Sequence, residues 1–244
     1  ISISGSKNAT LPILAGSLFA KEVTLKNIPL VKDILTMVQL LNFVGLNYKI
    51  SKKTNSIKIK NNKNNLNTVA PYKLVKTMRA GVLILGPLLA KYKKAKVSLP
   101  GGCAIGSRPV DIHLLVLKKL GAKIKIKGGY IYATAINGLK GCRFLFPKIS
   151  VGATENAILA AFWAKGKTTL LNCAVEPEIL DLISFLNKLG GKIKVKKRTI
   201  IIEGTKKINK ISYSVMFDRI ELGTFLIAGA LIGKKLTLNR INPK

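Results

Sequence analysis

The chain has 244 residues, 48% of them hydrophobic, enough to bury a sizeable core in one large domain or two small ones. Its formal net charge is +32, from 42 Lys and Arg against 10 Asp and Glu. The longest uncharged apolar runs, 80–90 and 223–233, fall short of the roughly 20 residues a membrane-spanning helix needs, so no membrane partner is expected.

Only 6 of the basic residues are Arg. Lys, Ile and Asn are abundant together, as in Asn61-Asn62-Lys63-Asn64-Asn65, and their codons are A/T-rich, so base composition inflates all three. Nucleic-acid readers favour Arg forks and aromatic stacking surfaces. The charge is therefore read as solvated faces, and no nucleic acid is expected as partner. A basic nucleic-acid-binding protein remains the alternative from a different class. Cys103, Cys142 and Cys173 show no paired or CxxC spacing, which argues against a disulfide framework or zinc site. That fits a reducing compartment, the cytoplasm. Cys142 and Cys173 read as small buried hydrophobes.

In chain order, Ser4-Gly5-Ser6-Lys7-Asn8-Ala9 leads into an apolar helical stretch, 9–20. A second helix ends at Leu41-Asn42-Phe43-Val44-Gly45, before a strand at Asn47-Tyr48-Lys49-Ile50. Ser56-Ile57-Lys58-Ile59-Lys60 alternates strictly, as a strand with one dry face does. An apolar helix over 74–90 opens a second unit, whose later helix ends at Leu120-Gly121 before Lys123-Ile124-Lys125-Ile126-Lys127. The third unit opens with a helix over 153–164 and repeats the motif at Leu189-Gly190 before Lys192-Ile193-Lys194-Val195. Each of these glycines can supply a left-handed turn after a helix. A fourth apolar stretch, Arg219–Ile232, begins another unit.

Helices that are apolar all round belong inside a protein. The half-wet strands belong outside. The expected fold is an inside-out α/β barrel of three βαβαββ repeats, with central helices and outward sheets, plus the start of a second such domain.

One segment carries most of the chemistry: Ser98-Leu99-Pro100-Gly101-Gly102-Cys103-Ala104-Ile105-Gly106-Ser107-Arg108-Pro109. Glycines let a loop close over a ligand. A thiol near fixed positive charge can serve as an acid. The guanidinium of Arg108 offers a fork for phosphate or carboxylate. Arg79 lies in an apolar helical stretch, where an unpaired charge is costly, so a partner or ligand is expected. Lys7 also reads as a surface lysine, Ser150 as a helix N-cap and His113, the single histidine, as structural.

With its Cys103 loop, Ser4-Gly5-Ser6-Lys7-Asn8, Leu74-Val75-Lys76-Thr77-Met78-Arg79 and Lys148-Ile149-Ser150-Val151-Gly152-Ala153-Thr154, the chain resembles the enolpyruvyl transferases, in their UDP-sugar branch. Glu176-Pro177-Glu178-Ile179 and Asp218-Arg219-Ile220-Glu221 also look like family segments. The shikimate-pathway branch lacks the cysteine segment.

The resemblance implies transfer of an enolpyruvyl group from phosphoenolpyruvate to the 3′-hydroxyl of UDP-N-acetylglucosamine, with release of phosphate. This is the first committed step of peptidoglycan synthesis, and it needs no cofactor and no metal. It implies Cys103 as the catalytic acid, and Lys7, Asn8 and Arg108 on phosphoenolpyruvate. It places Arg79, Arg108, Pro109, Val110, Asp111, Ile112, Lys148, Ile149, Ser150 and Val151 at the UDP-sugar.

The resemblance also implies two similar domains around a cleft. Residues 7–215 correspond to the first domain, and 1–6 and 216–244 to parts of the second. The family's general base and a further arginine lie outside the matched part, so the isolated chain is expected to turn over poorly. A non-catalytic UDP-sugar-binding protein is the remaining alternative. Leu222 departs from the small or polar residue common before Gly-Thr in the family.

Overall fold

A computed structural model describes residues 1–61, 66–101, 110–232 and 235–241. The first unit runs through α1 (Lys7–Gly16), a 3₁₀ turn (Ser17–Phe19), β1 (Glu22–Lys26), α2 (Lys32–Val44), β2 (Leu46–Ser51) and β3 (Ser56–Asn61). The second comprises β4 (Val69–Ala70), α3 (Tyr72–Val75), a 3₁₀ segment (Arg79–Ile84), α4 (Leu85–Tyr92), β5 (Lys94–Ser98), α5 (Asp111–Lys119), β6 (Lys123–Lys127) and β7 (Tyr130–Thr134). The third has β8 (Arg143–Leu145), α6 (Val151–Phe162), β9 (Lys167–Leu171), α7 (Pro177–Leu189), β10 (Lys192–Lys196) and β11 (Thr199–Glu203). β12 (Ile211–Ser214) and α8 (Arg219–Ile232) follow.

Three four-stranded sheets result, ordered β12-β1-β3-β2, β4-β5-β7-β6 and β8-β9-β11-β10. In each, the leading strand pairs in parallel with its neighbour and the rest pair antiparallel. The first unit receives its leading strand from far along the chain. β12 pairs with β1 in the register Val23↔Ile211 to Lys26↔Ser214, so residues 211–214 close the three-fold arrangement.

The sheets face outward around the helices, as the alternation requires. Ile57 and Ile59 of β3 are buried while Lys58 and Lys60 point to solvent. Glu22, on the same sheet, gathers Lys210, Lys58 and Lys60 at 3.0, 3.2 and 3.4 Å. The Lys210 contact is the largest cause holding its carboxyl down at about 2. The glycines do what the sequence requires: Gly45, Gly121 and Gly190 have φ of 118°, 102° and 121°. These left-handed conformations release each strand from its helix.

The centre holds α1, α4 and α6, with α6 packed on both of the others and α1 against the 3₁₀ segment that leads into α4, flanked by α2, α5 and α7. Gly16 lets α1 approach; a Cβ there would meet Phe185 at 3.1 Å and Leu159 at 3.3 Å.

Two expectations need correction. The stretch 74–90 is not one helix. Met78 is extended (φ −144°, ψ 108°), and a 3₁₀ segment precedes α4. Gly81 and Gly86 are poor helix formers, and Pro87 cannot donate a backbone hydrogen bond and crowds the turn before it. The second correction is α8, which is apolar all round yet buries none of its residues; Leu231 is 78% exposed and Ile232 87%. Among the described residues no helix is long and apolar enough to cross a membrane.

Candidate functional site

The N-terminal ends of the three central helical segments lie at one end of the barrel. Ser6 caps α1 by accepting from the Ala9 N–H at 3.3 Å, and Ser150 caps α6 by accepting from the Ala153 N–H at 3.4 Å. Arg79 begins the 3₁₀ segment. First turns carry N–H groups without helical partners and a partial positive charge, a favourable setting for anions.

A cavity of about 310 Å³ opens there, lined by Arg79, Ala80, Val82, Leu83, His113, Ser150, Val151, Gly152 and Glu155. A second, of about 290 Å³, adjoins it and contains Asn8, Glu176, Glu178 and Arg219. The two share Ala80, Leu83, Val151 and Glu155. Lys7 lines a separate concavity with Asp33, Asp218 and Glu221, and its Nζ donates to Asp33 Oδ2 at 3.0 Å.

The structure thus brings Arg79, Ser150 and Val151 together on one cavity and puts Asn8 on the next. Asp111, Lys148 and Ile149 are exposed, Val110 and Ile112 are buried, and none of these five lines either cavity. Cys103, Arg108 and Pro109 lie outside the described residues. Cys173 is buried and Cys142 half-buried. Burial pushes the Cys173 thiol up to about 12. Among the described residues no group of three or more His, Cys, Asp or Glu could hold a metal ion.

Sequence reading overlooked the polar pair Glu155-Asn156, fully inside α6. Burial, reinforced by Glu178 and Glu176, pushes the Glu155 carboxyl up to about 8, so the cavity wall carries a neutral acid at pH 7. Asn156 joins three elements. Its Oδ1 accepts from the Gly86 N–H at 2.8 Å, its Nδ2 donates to the Val82 carbonyl at 3.1 Å, and Nδ2 also meets His113 Nδ1 at 3.2 Å. His113, read as structural, therefore has that anchoring contact and also lines the cavity. Burial and the Arg79 charge hold its imidazole down at about 4, with Asp111 opposing. The available signal was a Glu-Asn pair inside an otherwise apolar helix.

The family model for EPSP synthase (3-phosphoshikimate 1-carboxyvinyltransferase) matches residues 1–244. The UDP-N-acetylglucosamine 1-carboxyvinyltransferase of Pelagibacter ubique (strain HTCC1062) is 59% identical over 246 residues, covering 100% of this chain and 58% of that protein. Proteins of the same name from Cellvibrio japonicus (strain Ueda107) and Rickettsia akari (strain Hartford) are 52% and 50% identical, over 97% and 95% of this chain and 56% of each of theirs. The chain thus spans a little over half the length of these curated relatives. Among solved structures, the enolpyruvyl transferase NikO from Streptomyces tendae superposes with a TM-score of 0.83 at 19% identity, covering 96% of this chain and 56% of that one. An EPSP synthase from Acinetobacter baumannii gives 0.79 at 18%, covering 100% and 56%. At such identities these two speak for the fold alone, the inside-out α/β barrel.

Proposed function

This chain belongs to the EPSP synthase (3-phosphoshikimate 1-carboxyvinyltransferase) family, and from that premise we propose that it is part of a cytoplasmic enzyme of peptidoglycan synthesis. The enzyme moves an enolpyruvyl group from phosphoenolpyruvate to the 3′-hydroxyl of UDP-N-acetylglucosamine. The observation that carries this reading is the 48–59% identity, over nearly the whole chain, to proteins named for that reaction.

The cavity supports it. A sugar nucleotide brings a diphosphate, and Arg79 with the first turn of α6 brings a guanidinium and a helix N-terminus to the cavity. Ser150 and Val151 of the UDP-sugar set line that cavity; Val110, Asp111, Ile112, Lys148 and Ile149 flank it in sequence, and Arg108 and Pro109 complete the set. Lys7, Asn8 and Arg108 are assigned to phosphoenolpyruvate.

The chemistry runs by addition and elimination. Cys103 donates a proton to C3 of the enol, which makes C2 electrophilic, and the sugar oxygen bonds to C2 as its own proton passes to the general base, which the family places outside the matched residues. A base of the site then takes a proton from C3, the C–H pair restores the double bond, and the C2–O pair leaves with phosphate. Fixed cations stabilise the charge that gathers on phosphate.

Residues 7–215 form the first domain in this reading. Residues 1–6 and the segment from 216 onward belong to a second, which supports a covered role for the exposed apolar α8.

The test is product analysis. The whole enzyme of which this chain is part is offered phosphoenolpyruvate with UDP-N-acetylglucosamine or with shikimate 3-phosphate. Enolpyruvyl sugar from the first alone upholds the reading; product from shikimate 3-phosphate alone overturns it.

A further inference from the structure

Asn156 is completely buried, and its amide orientation is fixed by two backbone groups whose roles cannot reverse. The Gly86 N–H can only donate, so the atom 2.8 Å away is the amide oxygen. The Val82 carbonyl can only accept, so the atom 3.1 Å away is the NH₂ group. One amide hydrogen goes to Val82, and the other points at His113 Nδ1, 3.2 Å away. Nδ1 must then be a bare acceptor, and the proton of a neutral imidazole sits on Nε2. The Nε2 edge of the ring lies against Gly152, another residue of the cavity wall; a Cβ there would stand 3.2 Å from Cε1 and 3.4 Å from Nε2.

We propose that Asn156 is a positioning residue that locks His113 as the Nε2–H tautomer, so that the cavity presents an uncharged imidazole N–H to a phosphoryl or carbonyl oxygen of the bound nucleotide sugar. The choice of ligand rests on the function proposed above; the tautomer does not. The two charged groups around the ring oppose each other, and Arg79 has the larger effect. Arg79, from the 3₁₀ segment, disfavours imidazolium; Asp111, on the ring's own helix, favours it. Glu155, from α6, shares the cavity and is neutral at pH 7. Protonating Nδ1 would also set two donors against each other across the Asn156 contact. The result is a donor whose strength is constant across the physiological range while Arg79 carries the charge.

The chain has a single histidine, so ¹⁵N NMR of histidine-labelled protein reads this ring alone. The expected spectrum is the neutral Nε2–H form, with titration near 4. In Asn156→Asp the new carboxylate accepts from Nδ1–H, so the tautomer switches and the titration moves up by about two pH units or more. An Nδ1–H tautomer in the unsubstituted chain, or a midpoint near the ordinary histidine value, overturns the proposal.

Calorimetry with UDP-N-acetylglucosamine tests the donor itself. His113→Gln, whose amide N–H reaches toward the Nε2 position, keeps affinity within about threefold, and His113→Leu loses about tenfold. Equal affinity in His113→Leu overturns the ligand-facing role. Failure of the unsubstituted chain to bind the sugar nucleotide sinks the proposed function, while the spectrum still decides the tautomer.

Discussion

Arg219 and Glu178 meet in a two-point ion pair that fastens α8 to α7: Nε donates to Oε1 at 2.9 Å and Nη2 to Oε2 at 3.3 Å. The glutamate side chain is 5% exposed and the arginine 46%. Removing the cation leaves a buried carboxylate unpaired beside Glu155. Because the guanidinium is half in water, Arg219→Leu should cost about 2 kcal/mol, below the full penalty of a buried pair. Urea unfolding checks this; a change under about 0.5 kcal/mol would mean the pair is idle.

Glu155 makes stability depend on pH in a defined direction. Its carboxyl is held near 8 in the folded chain, against 4.5 for an ordinary glutamate. Between those values the folded state keeps a proton that the unfolded state has lost. Stability therefore falls as pH rises from 4.5 toward 8, by up to about 1.4 kcal/mol per unit, and levels off above. Glu155→Gln keeps the shape and the neutral state and should flatten that slope. Urea midpoints for both proteins at about pH 5, 7 and 9 measure it; parallel slopes would show that Glu155 ionises normally.

Gly86 is fixed by its neighbour on α6. A Cβ there would sit 2.4 Å from Asn156 Oδ1 and 2.8 Å from the Asn156 carbonyl oxygen. Gly86→Ala gains about 1 kcal/mol of helix propensity, yet should be destabilised by about 2 kcal/mol net, because buried backbone cannot yield. A raised thermal midpoint would contradict that packing.

Lys7 engages Asp33 with both side chains partly in water, 43% and 35% exposed. Asp33→Asn should alter stability by less than about 1 kcal/mol. It also frees the ammonium, so inorganic phosphate should bind more tightly than to the unsubstituted chain, and Lys7→Ala more weakly. The reverse order in calorimetry would remove Lys7 from the anion-binding set.

Much of this architecture can be read from local pattern. Lys123-Ile124-Lys125-Ile126-Lys127 announces an outward strand, and Gly45, Gly121 and Gly190 announce left-handed helix ends, because both signals reside in neighbouring residues. Ser150 at the start of α6 is legible for the same reason.

What escaped depends on distance along the chain. β12 pairs with β1 although Ile211 and Val23 are 188 residues apart. The break at Met78 and the 3₁₀ segment after it lie in a stretch where Gly81 and Gly86 weaken the helix and Pro87 removes a backbone donor, which a hydrophobic count does not register. The Asn156 network draws on Gly86 and His113, 70 and 43 residues away, so an isolated reading of α6 offers only a misplaced polar pair.

The central claim is that the cavity at the helix N-termini holds the nucleotide sugar, with Arg79 on its diphosphate. Titration calorimetry of the chain with UDP-N-acetylglucosamine tests it most directly. The account predicts saturable binding, weakened about tenfold or more in Arg79→Ala, and no comparable heat with shikimate 3-phosphate. Unchanged affinity in Arg79→Ala, or preference for shikimate 3-phosphate, would contradict it.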